Sequence, residues 1–129
     1  MAFDAGLLEL VRESLEPVGA VTTRRMMGGA TLYLDGTVFA ILGDDALWFK
    51  ADAASDAEWD NAGCQRITMV MRDGRVATMN YRRAPDDVYD DPEEMRRWAG
   101  LALEAGLRSA AGKRRSPPAK RLKARAPAP

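Results

Sequence analysis

The segment Arg24-Arg25-Met26-Met27-Gly28-Gly29-Ala30-Thr31-Leu32-Tyr33-Leu34-Asp35-Gly36 constrains the fold of this chain more than any other. Residues 21–27 are β-rich and partly polar, and residues 30–34 form a second strand. Asp35-Gly36 then supplies the two positive-φ residues of a tight hairpin turn. Gly28-Gly29 lacks the Lys-Ser/Thr ending of a phosphate loop and is followed by strand signals, so it reads as a bulge or tight bend. Residues 37–43 make the next arm, and Asp44-Asp45 turns the chain into residues 46–50. Short strands joined by short turns must pair antiparallel, because parallel neighbours need long crossovers. Asp73-Gly74 marks another hairpin, between residues 65–71 and 75–81, with the same turn chemistry expected.

Helical signals flank this β region. Leu7, Leu8, Val11 and Leu15 space an apolar stripe over residues 3–16, with Asp4 as cap and Pro17 and Gly19 as the stop. Residues 54–62 read as a short helix with Ser55 and Glu58 in a capping box and Trp59 plugging the core. The last helix starts with Asp91 as N-cap, Pro92 in the first turn and Glu94 placed to bond back to the cap. Met95, Trp98, Leu101, Ala102 and Ala105 make its buried stripe, and Gly112 its expected end. The expectation is an α+β fold: a twisted antiparallel sheet of five to six strands, in hairpins or a meander, flanked by an N-terminal and a C-terminal helix.

Charge divides the chain in two. All 19 acidic residues lie within residues 1–112, which carry twelve cations, a balance of −7. Residues 113–129 carry seven cations (Lys113, Arg114, Arg115, Lys120, Arg121, Lys123 and Arg125) and no acid. With Ser116-Pro117-Pro118 and Pro127-Ala128-Pro129, that tail is too polar to bury a core and is expected to be disordered. The domain is therefore assigned to residues 1–111 and the basic, Pro-rich tail to 112–129. Cys64 is the single cysteine, which rules out a disulfide framework and fits a reducing cytoplasm. The acidic start is not that of a signal peptide, and the longest uncharged run, residues 26–34, is too short to cross a bilayer.

The chain holds no histidine, which removes the commonest general base and metal ligand at neutral pH. Cys64 has no His to form a thiolate pair. Asp86, Asp87, Asp90 and Asp91 lack the spacing of a calcium loop and read as a solvated acidic loop. No catalytic, cofactor or metal residue is assigned, and no cofactor is expected. Arg24, Arg25, Arg82 and Arg83 form two pairs in β segments. They either pair with Asp86, Asp87 or Glu58, or form an anion or partner site. Within each pair the two side chains point to opposite faces. Met26, Met27, Met69, Met71 and Met79 read as soft core filling, with a Met-rich binding surface as the alternative.

The run Arg25-Met26-Met27-Gly28-Gly29 with its hairpin to Gly36 carries a family resemblance. Asp73-Gly74-Arg75, residues 79–81, Pro85 and Asp90-Asp91-Pro92-Glu93-Glu94-Met95 leading to Trp98 extend it, in order, over residues 3–107. This pattern resembles the N-terminal domain family of the competence regulator TfoX, also called Sxy, with Met27 where the family commonly has an aromatic. The resemblance implies a small α+β domain without known enzymatic activity. The regulator that names the family carries a second helical domain. The expectation here is a single-domain member with the basic tail in its place, acting in regulation through a protein partner, with a homodimer left open. Any nucleic-acid contact is expected to be sequence-tolerant and confined to the tail. The alternative is a small-ligand or enzymatic domain with an arginine-lined pocket.

Overall fold

Alternating apolar residues and tight turns build six strands, β1 (Val21–Met26), β2 (Gly29–Leu34), β3 (Thr37–Leu42), β4 (Leu47–Lys50), β5 (Arg66–Val70) and β6 (Val76–Arg83). The computed structural model describes residues 5–26, 29–43 and 46–115, without the side chains of Met69 and of residues 113–115. The Asp4 cap, Met27, Gly28, the Asp44-Asp45 turn, Lys120, Arg121, Lys123 and Arg125 lie outside the described residues. The strands form one antiparallel sheet in the order β1-β2-β3-β4-β6-β5. The first four make a meander. The chain then passes through α2 (Asp56–Asn61), returns on the far edge as β5, and inserts β6 beside β4.

The two Asp-Gly turns differ. Asp35 (φ 49°) and Gly36 (φ 87°) both take positive φ, as a two-residue primed turn requires. At the second turn only Gly74 does, at φ 90°. Its N–H donates to Met71 O at 3.0 Å and Met71 N–H donates to Arg75 O at 2.7 Å, so residues 72–74 form a three-residue loop. The added residue, Arg72, lets an ordinary turn plus one left-handed glycine match the strand twist. Asp73 is freed to accept from Arg75 N at 3.0 Å.

One face of the sheet is covered. Helix α1 (Ala5–Leu15) packs on β1 and on α3 (Pro92–Arg115), and α3 lies across β3 and β4. Leu8, Val11 and Leu15 meet Leu32, Leu34, Leu42 and Leu47 in one core. A bulge between Leu32 and Tyr33 leaves Phe39 as an extra residue on β3, and it turns fully into this core. Rings then run through it from strand to helix: Phe39 to Phe49 at 6.4 Å, Phe49 to Trp59 at 5.7 Å, Trp59 to Trp98 at 4.8 Å. Trp59 does plug α2 into the core, as expected.

The cap chemistry departs from the sequence reading. Ser55 is the N-cap of α2, but its side chain makes no cap bond. Its hydroxyl instead donates to Asp52 O at 3.2 Å and accepts from Asp52 N at 3.1 Å, closing a turn one step earlier. Asp91 does cap α3, accepting from Glu93 N at 3.0 Å. Glu94 does not bond back, because Asp91 N–H already donates to Asp87 O at 3.1 Å. Glu94 accepts from Trp98 Nε1 at 3.2 Å instead. The acidic loop is a 3-10 turn over Asp86–Tyr89 with Val88 buried. Helix α3 continues through Gly112 to Arg115. The helical ladder there needs no side chain, so glycine weakens it without ending it.

Candidate functional site

The register sorts every strand side chain to one of two faces. Arg24 pairs with Thr31, Thr31 with Ile41, Ile41 with Trp48 and Trp48 with Arg83, making one row across five strands. Beside it, Thr22, Tyr33 and Val38 align across β1–β3, and Lys50 pairs with Tyr81 across β4–β6. The intervening row is Thr23, Leu32, Ala40, Phe49 and Arg82. It carries core residues, so it faces the helices. The Arg24 row therefore faces away from them, and among the described residues no helix packs on that open face.

Each arginine pair is thus split, as strand alternation requires. Arg24 and Arg83 lie at the two ends of the open-face row and are exposed, while Arg25 and Arg82 are on the covered face. The four do not converge on one site. Arg82 is only 1% exposed and its guanidinium is held from several directions. Nη1 donates to Asp60 Oδ1 at 2.7 Å and to Cys64 O at 2.8 Å, Nη2 to Asp56 Oδ1 at 3.0 Å, and Nε to Asn80 Oδ1 at 3.0 Å. Its acid partners are therefore on α2, and are not the Asp86, Asp87 or Glu58 considered from sequence. The reason is topological: α2 leads directly to β5, which pairs with β6, so α2 acids spaced four apart sit over Arg82. The bond from Asn80, then the charges of Arg66 and Arg82, hold the Asp56 carboxyl below its usual range against an opposing effect of burial. Burial raises the Cys64 thiol, with Arg82 opposing.

Arg83 lies over the Trp48 ring at 5.7 Å and Lys50 over the Tyr81 ring at 5.3 Å. Burial raises the Tyr81 phenol, and the charge of the Tyr33 phenol adds to the rise. Met26 and Met79 are half-buried on this face instead of in the core, and Met71 is exposed beside the β5–β6 loop. Thr31 Oγ1 donates to Met26 Sδ at 3.1 Å, which places that methionine with the Arg24 row. Sequence reasoning passed over Tyr33, Trp48, Lys50 and Tyr81 as a group. Their alternation with core residues was the available signal, but which strands neighbour one another was not.

Clefts also open among the described residues. One of about 310 Å³ is lined by Glu58, Arg97, Trp98, Gly100, Leu101 and Glu104. Another of about 190 Å³ runs along residues 62–65 and 83–86, with Arg83 and Asp86 on its wall. Among the described residues no group of three His, Cys, Asp or Glu could hold a metal ion. No helix among them is long and apolar enough to cross a membrane. Of the tail cations, Lys113, Arg114 and Arg115 fall on the last turn of α3.

The fold is an open antiparallel six-stranded sheet with its helices on one side, an α+β domain. Residues 13–106 match the model of the TfoX N-terminal domain, and the chain belongs to that family. It is similar to the DNA transformation protein TfoX1 of Aliivibrio fischeri (strain ATCC 700601 / ES114), with 28% identity over 67 residues. That match covers 52% of this chain and 32% of the relative, so the chain spans about a third of that protein's length.

Proposed function

We propose that this chain is a regulatory domain of the competence-regulator type that works by binding and not by catalysis. The family relation across residues 13–106 carries this reading. The similarity to a DNA transformation protein supports placing the regulation in DNA transformation. The partner is a protein, and the setting is the cytoplasm, where the lone thiol of Cys64 stays reduced. The seven cations of residues 113–129 add a sequence-tolerant contact to phosphates. The test is removal of the gene from its host, with transcript levels and transformation frequency measured before and after restoring it. A change that the wild-type chain reverses is expected. Unchanged transcripts and unchanged transformation would reject the reading. The tail contact is checked separately by titrating duplexes of two unrelated sequences at several salt concentrations. If all seven cations met phosphates, log K would fall with log salt at a slope of about −6.

A further inference from the structure

The six strands carry Arg24, Arg25, Lys50, Arg66, Arg82 and Arg83 and not one Asp or Glu. This is notable in a body whose balance is −7. Two strand cations of the covered side meet acids of α2. Asp56 takes Arg66 and Arg82, and Asp60 takes Arg82. Arg24, Lys50 and Arg83 share the other face with Tyr33, Trp48 and Tyr81.

We propose that this open face, floored by Tyr33, Trp48 and Tyr81 and edged by Arg24, Lys50 and Arg83, binds single-stranded nucleic acid. Three aromatic rings on one face of the sheet offer stacking surfaces that tolerate any base, and cations beside them meet the backbone. Trp48 and Tyr81 lie on adjacent strands two residues apart in register, the diagonal spacing of about 7–8 Å. Arg83 and Lys50 lie over these rings on long, flexible side chains, so a stacking base would displace each cation toward the adjoining phosphate. A duplex fits this face poorly, because no described element projects from it to enter a groove. A second copy of the chain fits poorly as well. A two-fold contact would set the same cations against each other with no strand acid to separate them. This site is distinct from the tail, to which the sequence reading confined nucleic-acid contact.

The experiment uses the full-length chain with the seven tail cations each replaced by Gln, beside the wild type. The probe is an oligothymidylate of about 12 nucleotides, with an oligouridylate of equal length to compare sugars and a duplex as control. Trp59 is fully buried and Trp98 only 5% exposed, so a stacked base can quench only Trp48 emission. Saturable quenching is expected in both proteins, with the single strands binding tighter than the duplex to the tail-neutral one. Three phosphate contacts to a single strand predict a salt slope of about −2 for that protein. Arg24→Glu and Arg83→Glu, both at exposed positions, should each weaken binding at least tenfold while lowering Tm by no more than about 5 °C. Trp48→Phe should abolish the quench and keep most of the affinity. Absence of quenching in the tail-neutral protein would overturn the proposal. So would charge reversal without effect, or polyglutamate displacing the oligonucleotide at equal charge concentration, which would assign the face to an acidic protein.

Discussion

At the scale of single residues, Arg82 shows how a charge can be buried without being a binding site. Its donors meet two carboxylates, one amide and one backbone carbonyl, which together replace the water it loses. Arg82→Met keeps the volume and removes every donor. Asp56 and Asp60 still reach solvent, with side chains 26% and 65% exposed, so the loss should fall near the lower end for a broken buried pair. We expect about 3 kcal/mol, read as a lower urea midpoint. A midpoint equal to wild type would mean that the cluster contributes nothing net. The pH dependence has a fixed sign. Because the folded Asp56 carboxyl is depressed below 3.8, its contribution is present at neutral pH and is lost as pH falls through the folded value. Part of that depression comes from Arg82, so the variant should lose stability less steeply below about pH 4. Trp59 is the opposite case: fully buried, with an indole N–H that meets no acceptor among the described residues. Its ring packing must outweigh that cost, about 1–3 kcal/mol for an unmet donor.

At the scale of elements, α3 organises the domain. Arg96 Nη1 donates to Ser14 O of α1 at 3.0 Å, Trp98 stacks on Trp59, and Arg108 grips Asp52 through Nε at 2.7 Å and Nη2 at 2.9 Å. Two of its glycines play opposite parts. A Cβ on Gly106 would strike Val38 O and come within 2.9 Å of Thr37 Cγ2, so this glycine lets the helix axis approach β3 closely. A Cβ on Gly100 would meet nothing within 4 Å. Gly106→Ala should therefore destabilise by about 1–3 kcal/mol through overpacking against backbone. Gly100→Ala should stabilise by about 0.5–1 kcal/mol through lost unfolded-state freedom. Chemical denaturation of both single variants checks the pair, and equal signs would show that helix propensity alone governs these positions.

For the whole molecule, the core and the charge end at different places. The last buried apolar residue described on α3 is Ala105, whereas the basic run starts at Lys113. Deleting residues 113–129 should accordingly leave the fold intact. A fall in Tm of more than about 5 °C, near 1 kcal/mol for a domain of this size, would show that the tail packs on the body. The same deletion changes the net charge from zero to −7, so binding to duplex DNA should weaken much more than stability does.

What the sequence determined by itself was local. Period-two alternation, the Asp35-Gly36 turn and the Asp91-Pro92 start of α3 depend on neighbours a few residues away, and all stand where they were read. The split of each arginine pair followed from strand geometry alone. Pairing across the sheet was not legible. Nothing near β5 or β6 in the chain says that β6 lies inside and β5 at the edge, because antiparallel pairing with either neighbour satisfies the same backbone groups. That one choice set Arg82 against Asp56 and Asp60, and it put Arg83 at the end of a row that begins at Arg24. Side-chain bonds at Ser55 and Glu94 were likewise decided by competing partners, Asp52 and Trp98, that only the folded chain brings within reach. The open face belongs to tertiary structure for the same reason. Its cations and rings come from β1, β2, β4 and β6, and only the sheet's strand order makes them one surface.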